Sequence, residues 1–186
     1  MKIRTNPRLA LIFLAFISAG GAQAQSRSLR VRLFWLHPPA TITITSLSPT
    51  ASLRLGSANP KTGRPGSAIV MAAEGNRLRT GGHLWSQAEW LGKARLEGEG
   101  FASFQIAFPL TITARQGRLH MIARMSLEEY VAAVLAGEAG GFQSDEALKA
   151  MAVAARTYAV RFQPRHAAEG FDFCDTTHCQ DLRLSD

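Results

Sequence analysis

The sequence predicts an α+β fold, with a β-rich N-terminal half followed by a helical segment of the kind that carries catalytic residues. Three observations point there. Up to about residue 123, short runs alternate branched or aromatic residues with polar ones and are broken by Gly, Pro and Asn. From Ser126 the apolar spacing turns helical, and a Cys/His cluster follows the second helical run. A chain of 186 residues makes one ordinary domain or one and a half, and its 46% hydrophobic content supplies a core and argues against disorder.

Residues 1–24 have a different layout. Lys2, Arg4 and Arg8 precede an apolar run over 9–17, and small residues then lead to Ala22, Gln23 and Ala24. This is a signal-peptide pattern, with cleavage expected before Gln25. The run is too short for a comfortable bilayer crossing, so no stable membrane span is expected after cleavage. The expected destination is the periplasm, the cell wall or the extracellular space. Cleavage removes three cations and no acid, lowering the formal charge from +7 to +4. That modest basicity suits an anionic polymer or surface. With no block of Lys and Arg interleaved with aromatics, it argues against nucleic acid.

The β-rich part is assigned to 25–124. Runs at 29–36 and 41–47 read as half-buried strands separated by Pro38 and Pro39. The Gly/Pro/Asn-rich stretch 56–66 reads as a loop, and 68–73 with 77–79 as a hairpin turning at Gly75 and Asn76. Further strands are expected at 101–108, 110–114 and 119–123. No internal repeat is present.

The helical segment is assigned to 125–186. Ser126 with Glu129 three residues on is a capping-box signature. Leu127, Tyr130, Val131 and Val134 then recur at helical spacing until Gly137, which is expected to stop the helix and leave Glu138 at its end. A second helix starts at Ser144, has Asp145 and Glu146 in its first turn, and runs to about 163, before Pro164. It is expected to be long, Ala-rich and tightly packed through Leu148, Met151, Ala152, Ala155, Tyr158, Ala159 and Phe162. Lys149 and Arg156, seven apart, share one stripe. They are either solvated residues of an outer face or a rail for a substrate or for Glu138.

Glu138 lies among Gly137, Ala139, Gly140 and Gly141, so a bulky ligand can approach it closely. A neighbouring apolar helix would keep its carboxyl dry enough to hold a proton near neutral pH, as a general acid requires. The other reading places it in an exposed inter-helix turn. Cys174, His178 and Cys179, with His166 upstream, offer the Cys₂His₂ donors of a closed tetrahedral zinc site, which would fix a loop and leave no position for activated water. After export, a Cys174 to Cys179 disulfide is the alternative.

The run Leu127-Glu128-Glu129-Tyr130-Val131, then Gly137-Glu138, then EALKAMAVAARTYAVRF, then GFDFCDTTHCQ, resembles the SpoIID/LytB domain family, named after stage II sporulation protein D. About 54 consecutive residues carry these motifs in the family's order. The β-rich half fits only loosely.

The resemblance implies peptidoglycan as the substrate. Members of the family are lytic transglycosylases that cleave the bond between N-acetylmuramic acid and N-acetylglucosamine with formation of a 1,6-anhydro sugar. Others are enhancers of a cell-wall amidase. The family's catalytic glutamate falls on Glu138 and its helix basic residue on Arg156, while Lys149 matches a motif position. Some members bind zinc through the Cys/His motif. The family pattern continues past CDTTHCQ where this sequence stops at Asp186, which implies a C-terminally truncated domain, with an inactive fragment as a further alternative.

Overall fold

The computed structural model describes residues 28–184; the leader assigned to residues 1–24 lies outside them. Alternation builds two sheets. The first runs β13 (Phe173–Cys174), β1 (Ser28–Leu33), β12 (Arg118–Ser126), β11 (Leu110–Arg115), β8 (Ala88–Leu91), β3 (Ser52–Leu55) and β4 (Lys61–Thr62). The second runs β10 (Phe101–Ile106), β9 (Ala94–Gly98), β2 (Thr41–Ser46), β5 (Ala68–Glu74), β6 (Arg77–Thr80) and β7 (His83–Trp85). Neighbours are antiparallel except β13, which lies parallel to β1 with Cys174 opposite Arg32.

The period of two decides which side chains meet. In β1, Leu29, Val31 and Leu33 are buried toward the core, and in β12 so are Leu119, Met121, Ala123 and Met125. Arg30 and Arg32, with His120, Ile122 and Arg124, therefore share the opposite face of the first sheet. One core joins Trp90 and Ile112 of the first sheet to Ile42, Ile44, Met71, Leu78 and Leu96 of the second. Each such large side chain, fully removed from water, contributes about 1.5–3 kcal/mol. The one polar atom of the Trp90 ring is satisfied, donating to the Gly92 carbonyl at 2.9 Å.

The expected hairpin is present: Glu74 pairs with Arg77, and Gly75 takes φ of 55° in the turn. Strands β3, β7, β8 and β9 and the short β4 and β13 were not anticipated, and β4 falls inside the stretch read as a loop. In β8 and β9 the buried positions are partly Ala88 and Ala94, alternating with Glu89, Arg95 and Glu97. Over four or five residues that alternation is a weak signal.

Helix α1 (Leu127–Glu138) begins as its capping box requires: Glu129 N–H donates to Ser126 Oγ at 3.2 Å and Ser126 N–H to Glu129 Oε2 at 2.7 Å. Tyr130, Val131, Ala133 and Val134 bury its inner face. Helix α2 (Asp145–Phe162) starts at Ser144, whose Oγ accepts from Ala147 N–H at 3.2 Å, and ends before Pro164 as expected. The expectation of tight packing along α2 is corrected. Only Ala155 and Ala159 are buried, Val153 is 61% exposed and Phe162 50%, and Leu148 also reaches solvent. Within the described residues α2 packs on α1 along this narrow seam, with Tyr158 set 5.8 Å from Phe173. No helix of the described residues is long and apolar enough to cross a membrane.

Candidate functional site

Gly137 does not end α1. The helix continues through Glu138 and is capped by Ala139, whose N–H donates to the Leu135 carbonyl at 3.0 Å. What Gly137 provides is space: a Cβ there would lie 2.3 Å from the Asp181 carbonyl oxygen and 2.8 Å from its carbon. The bare helix surface lets residues 181–184 lie directly against it. Arg183 N–H donates to the Ala133 carbonyl at 3.0 Å, and Asp181 N–H donates to Glu138 Oε1 at 2.8 Å. Just upstream, the buried Tyr130 hydroxyl donates to Gln180 Oε1 at 3.1 Å, and burial holds that phenol well above the ordinary tyrosine range.

Glu138 is exposed, so the expected dry setting is absent. The physical reason is the linker: the chain crosses exposed residues at 140–144 before α2 begins, and α2 shields α1 at Ala155 and Ala159 and leaves the α1 terminus open. The carboxylate is nonetheless fixed, because one oxygen is held by a main-chain N–H.

Arg156 and Lys149 are each taken by another acid. Arg156 forms an ion pair with Glu128 in the first turn of α1, with its Nε 3.3 Å from Glu128 Oε1, so it ties the two helices together. Lys149 pairs with Glu146 at 2.7 Å on the exposed side of α2. The rail toward Glu138 is thus corrected, since neither cation touches that residue.

The Cys/His cluster assembles as the sequence suggests. Ligand atoms of His166, Cys174, His178 and Cys179 lie within 4.8 Å of one another. Cys179 Sγ is 3.1 Å from Cys174 Sγ and 3.3 Å from His166 Nε2, and Cys174 Sγ is 3.7 Å from His178 Nδ1. Both cysteines are free thiols, not a disulfide. Tetrahedral zinc with bonds of about 2.0–2.3 Å sets its ligands roughly 3.3–3.8 Å apart. The donor types suit such an ion, and the separations here, from 3.1 Å between the sulfurs to at most 4.8 Å, straddle that range. Outer partners orient the donors. Glu169 Oε1 sits 2.6 Å from His166 Nδ1, leaving Nε2 for the sulfurs, and the His166 ring stacks on Phe171 at 4.7 Å. Burial, foremost, pushes the Cys179 thiol up to about 12.

Asp175, beside the cluster, accepts main-chain N–H groups of Phe34 and of Trp35, the latter at 3.1 Å, pinning the loop after β1. Burial raises its carboxyl while those two N–H groups oppose the shift. Asp175 also lines a cavity of about 250 Å³ with Phe34, Phe101, Phe104 and the 182–184 segment. Asp181, Asp175, Glu169 and Glu128 escaped sequence reading. Asp181 acts through its backbone, the partners of Asp175 and Glu128 are set by tertiary contacts that no local spacing encodes, and only Glu169, three residues after His166, carried a local signal.

Fold and site together define an α+β domain, in which a helix end presents a tethered carboxylate and a Cys/His loop closes the first sheet. Its family follows from direct comparison. Residues 115–184 match the family model described as stage II sporulation protein, and the chain carries a SpoIID-family domain there, of a family linked to cell-wall lytic activity on peptidoglycan. No curated protein and no solved structure matches the chain.

Proposed function

We propose that the domain is a peptidoglycan lytic transglycosylase in which Glu138 is the single acid and base. Its carboxyl donates a proton to the oxygen linking N-acetylmuramic acid to N-acetylglucosamine. As the C6 hydroxyl of the same muramic acid attacks the anomeric carbon, the carboxylate takes up that hydroxyl's proton, and the 1,6-anhydro ring closes. A second carboxylate is not required, because no water has to be activated. The observation that carries this reading is the tether from Asp181: one oxygen of an exposed carboxyl is held at the helix end by a main-chain N–H, and among the described residues Oε2 has no such partner. Because Glu138 is exposed, the glycan itself must supply the dry environment by covering it. Arg156 and Lys149 then exchange their carboxylate partners for polar groups of the glycan.

The test is digestion of purified peptidoglycan followed by mass spectrometry. Anhydro-muropeptides are expected from the native chain and a loss of about 10²–10⁴-fold from Glu138→Gln, which keeps the acceptor for Asp181 N–H. The exposure of Glu138 favours a second reading, a wall-binding enhancer of an amidase. In that case Glu138→Gln leaves stimulation of the amidase intact and no anhydro products form with either chain.

For the Cys/His loop the proposal is structural zinc held by Cys174, Cys179, His166 and His178, four protein donors that would fix the loop and take no part in the glycan chemistry. Export, through the leader at 1–24, would place the domain with its wall substrate.

A further inference from the structure

A second polar site lies on the outer face of the first sheet. A depression of about 530 Å³ is lined by Asn76, Ala114, Arg115, Gln116 and His120. It contains no carboxylate. Behind it Arg32 is only 5% exposed, with its Nε 3.4 Å from the Leu33 carbonyl and its Nη1 donating to His120 Nδ1. Among the described residues neither Arg32 nor Arg115 has an acid within ion-pair reach. Burial and then Arg115 disfavour the Arg32 charge, while Asp175 and Glu169 attract it only from beyond that reach, so the buried guanidinium lacks a direct carboxylate partner, which is costly. Arg115 adds to the cost by facing Arg118 directly across β11 and β12, where like charges repel.

The hydrogen-bond inventory turns this excess of charge into a ligand preference. A guanidinium only donates, so His120 Nδ1 must be the acceptor in its contact with Arg32, and the ring proton of a neutral imidazole is left on Nε2. Burial, then the charges of Arg32 and Arg115, hold His120 down to about 4, so the ring is neutral at ordinary pH. Asn76 Oδ1 is already used by Gln116 N–H at 2.8 Å, which leaves the Asn76 amide nitrogen as that side chain's free group. The lining therefore offers N–H donors and positive charge.

We infer that this depression binds a small oxyanion, a carboxylate or a phosphate group, between the Arg115 guanidinium and His120 Nε2–H. Arg32 is a positioning residue that acts through His120 by fixing its tautomer. The site is separate from Glu138 and does not depend on the glycan chemistry proposed above. It gives the domain a handle for an acidic group of whatever it contacts.

The experiment is thermal melting of the full chain at neutral pH and constant ionic strength, with chloride replaced stepwise by inorganic phosphate in one arm and by acetate in the other. A saturable rise in Tm is expected with at least one of them, and the arm that gives it identifies the anion. Arg115→Gln, at an exposed position, is expected to fold, to melt no lower than the native chain in chloride because a repulsion is relieved, and to bind the anion at least about tenfold more weakly. Long-range proton–nitrogen spectra are expected to show His120 protonated on Nε2. The inference is overturned if neither anion exceeds chloride, if Arg115→Gln keeps the full response, or if His120 carries its proton on Nδ1.

Discussion

Replacing Gly137 with Ala pits two principles against each other. In an ordinary helix the change is stabilising by about 1 kcal/mol, because glycine carries excess conformational freedom. Here the new methyl would lie 2.3 Å from the Asp181 carbonyl oxygen and 3.3 Å from Leu182 N, and these are backbone atoms that cannot rotate away. The 181–184 segment must lift. That loosens the hydrogen bonds from Asp181 to Glu138 and from Arg183 to Ala133, each worth about 1 kcal/mol, and adds overpacking of about 1–3 kcal/mol. The expected net loss is about 2–4 kcal/mol, or roughly 4–16 °C in Tm for a domain of this size. Denaturant titration gives the free energy, and amide hydrogen exchange at Asp181 and Arg183 locates it. A Gly137→Ala chain at least as stable as the native one, with both amides still protected, would refute the close-approach role of Gly137.

Three further outcomes follow from the same structure. Ser126→Ala removes the Oγ acceptor of the α1 capping box and is expected to cost about 1 kcal/mol by denaturant titration; an unchanged midpoint would mean that the cap is idle. His120 has a folded-state pKa of about 4, below its unfolded value of about 6.5, so the unfolded chain binds the extra proton first. Stability attributable to this residue is complete above about 6.5 and is lost as pH falls toward 4; His120→Asn should flatten that part of a stability-versus-pH profile, and an unaltered slope counts against it. Zinc added to the metal-free chain is expected to raise Tm by about 5–10 °C at a hundredfold excess over its dissociation constant, with no rise in Cys174→Ser. Elemental analysis that finds no zinc in the saturated protein would end that proposal.

How much of this was legible in the sequence depended on whether the signal was local. The Ser126 and Glu129 box, the Ser144 start, the stop before Pro164 and the Gly75 turn are contained within a few residues, and each stands where the pattern put it. The Cys/His grouping was legible for a related reason, since three of its four donors lie within six residues of one another. Gly137 was misread because a glycine near a helix end has two uses, termination and close approach. Only the position of Asp181 separates them. The exposure of Glu138 is not legible because an Ala-rich helix suggests a tight lid, whereas α2 buries just two alanines. Arg32 gave no warning at all: strand alternation puts it on the outer face, and the neighbours shown beside it, His120 and the paired Cys174, lie far along the chain.

The parallel pairing of β13 with β1 joins residues 31 and 32 to residues 173 and 174. Until residues 173 and 174 have been made, that side of the first strand presents unpaired amides to its surroundings, an open template for pairing with other chains. Contacts so distant in sequence also form slowly. A chain emerging N-terminus first must therefore be kept from self-association until its Cys/His loop arrives to seal the sheet.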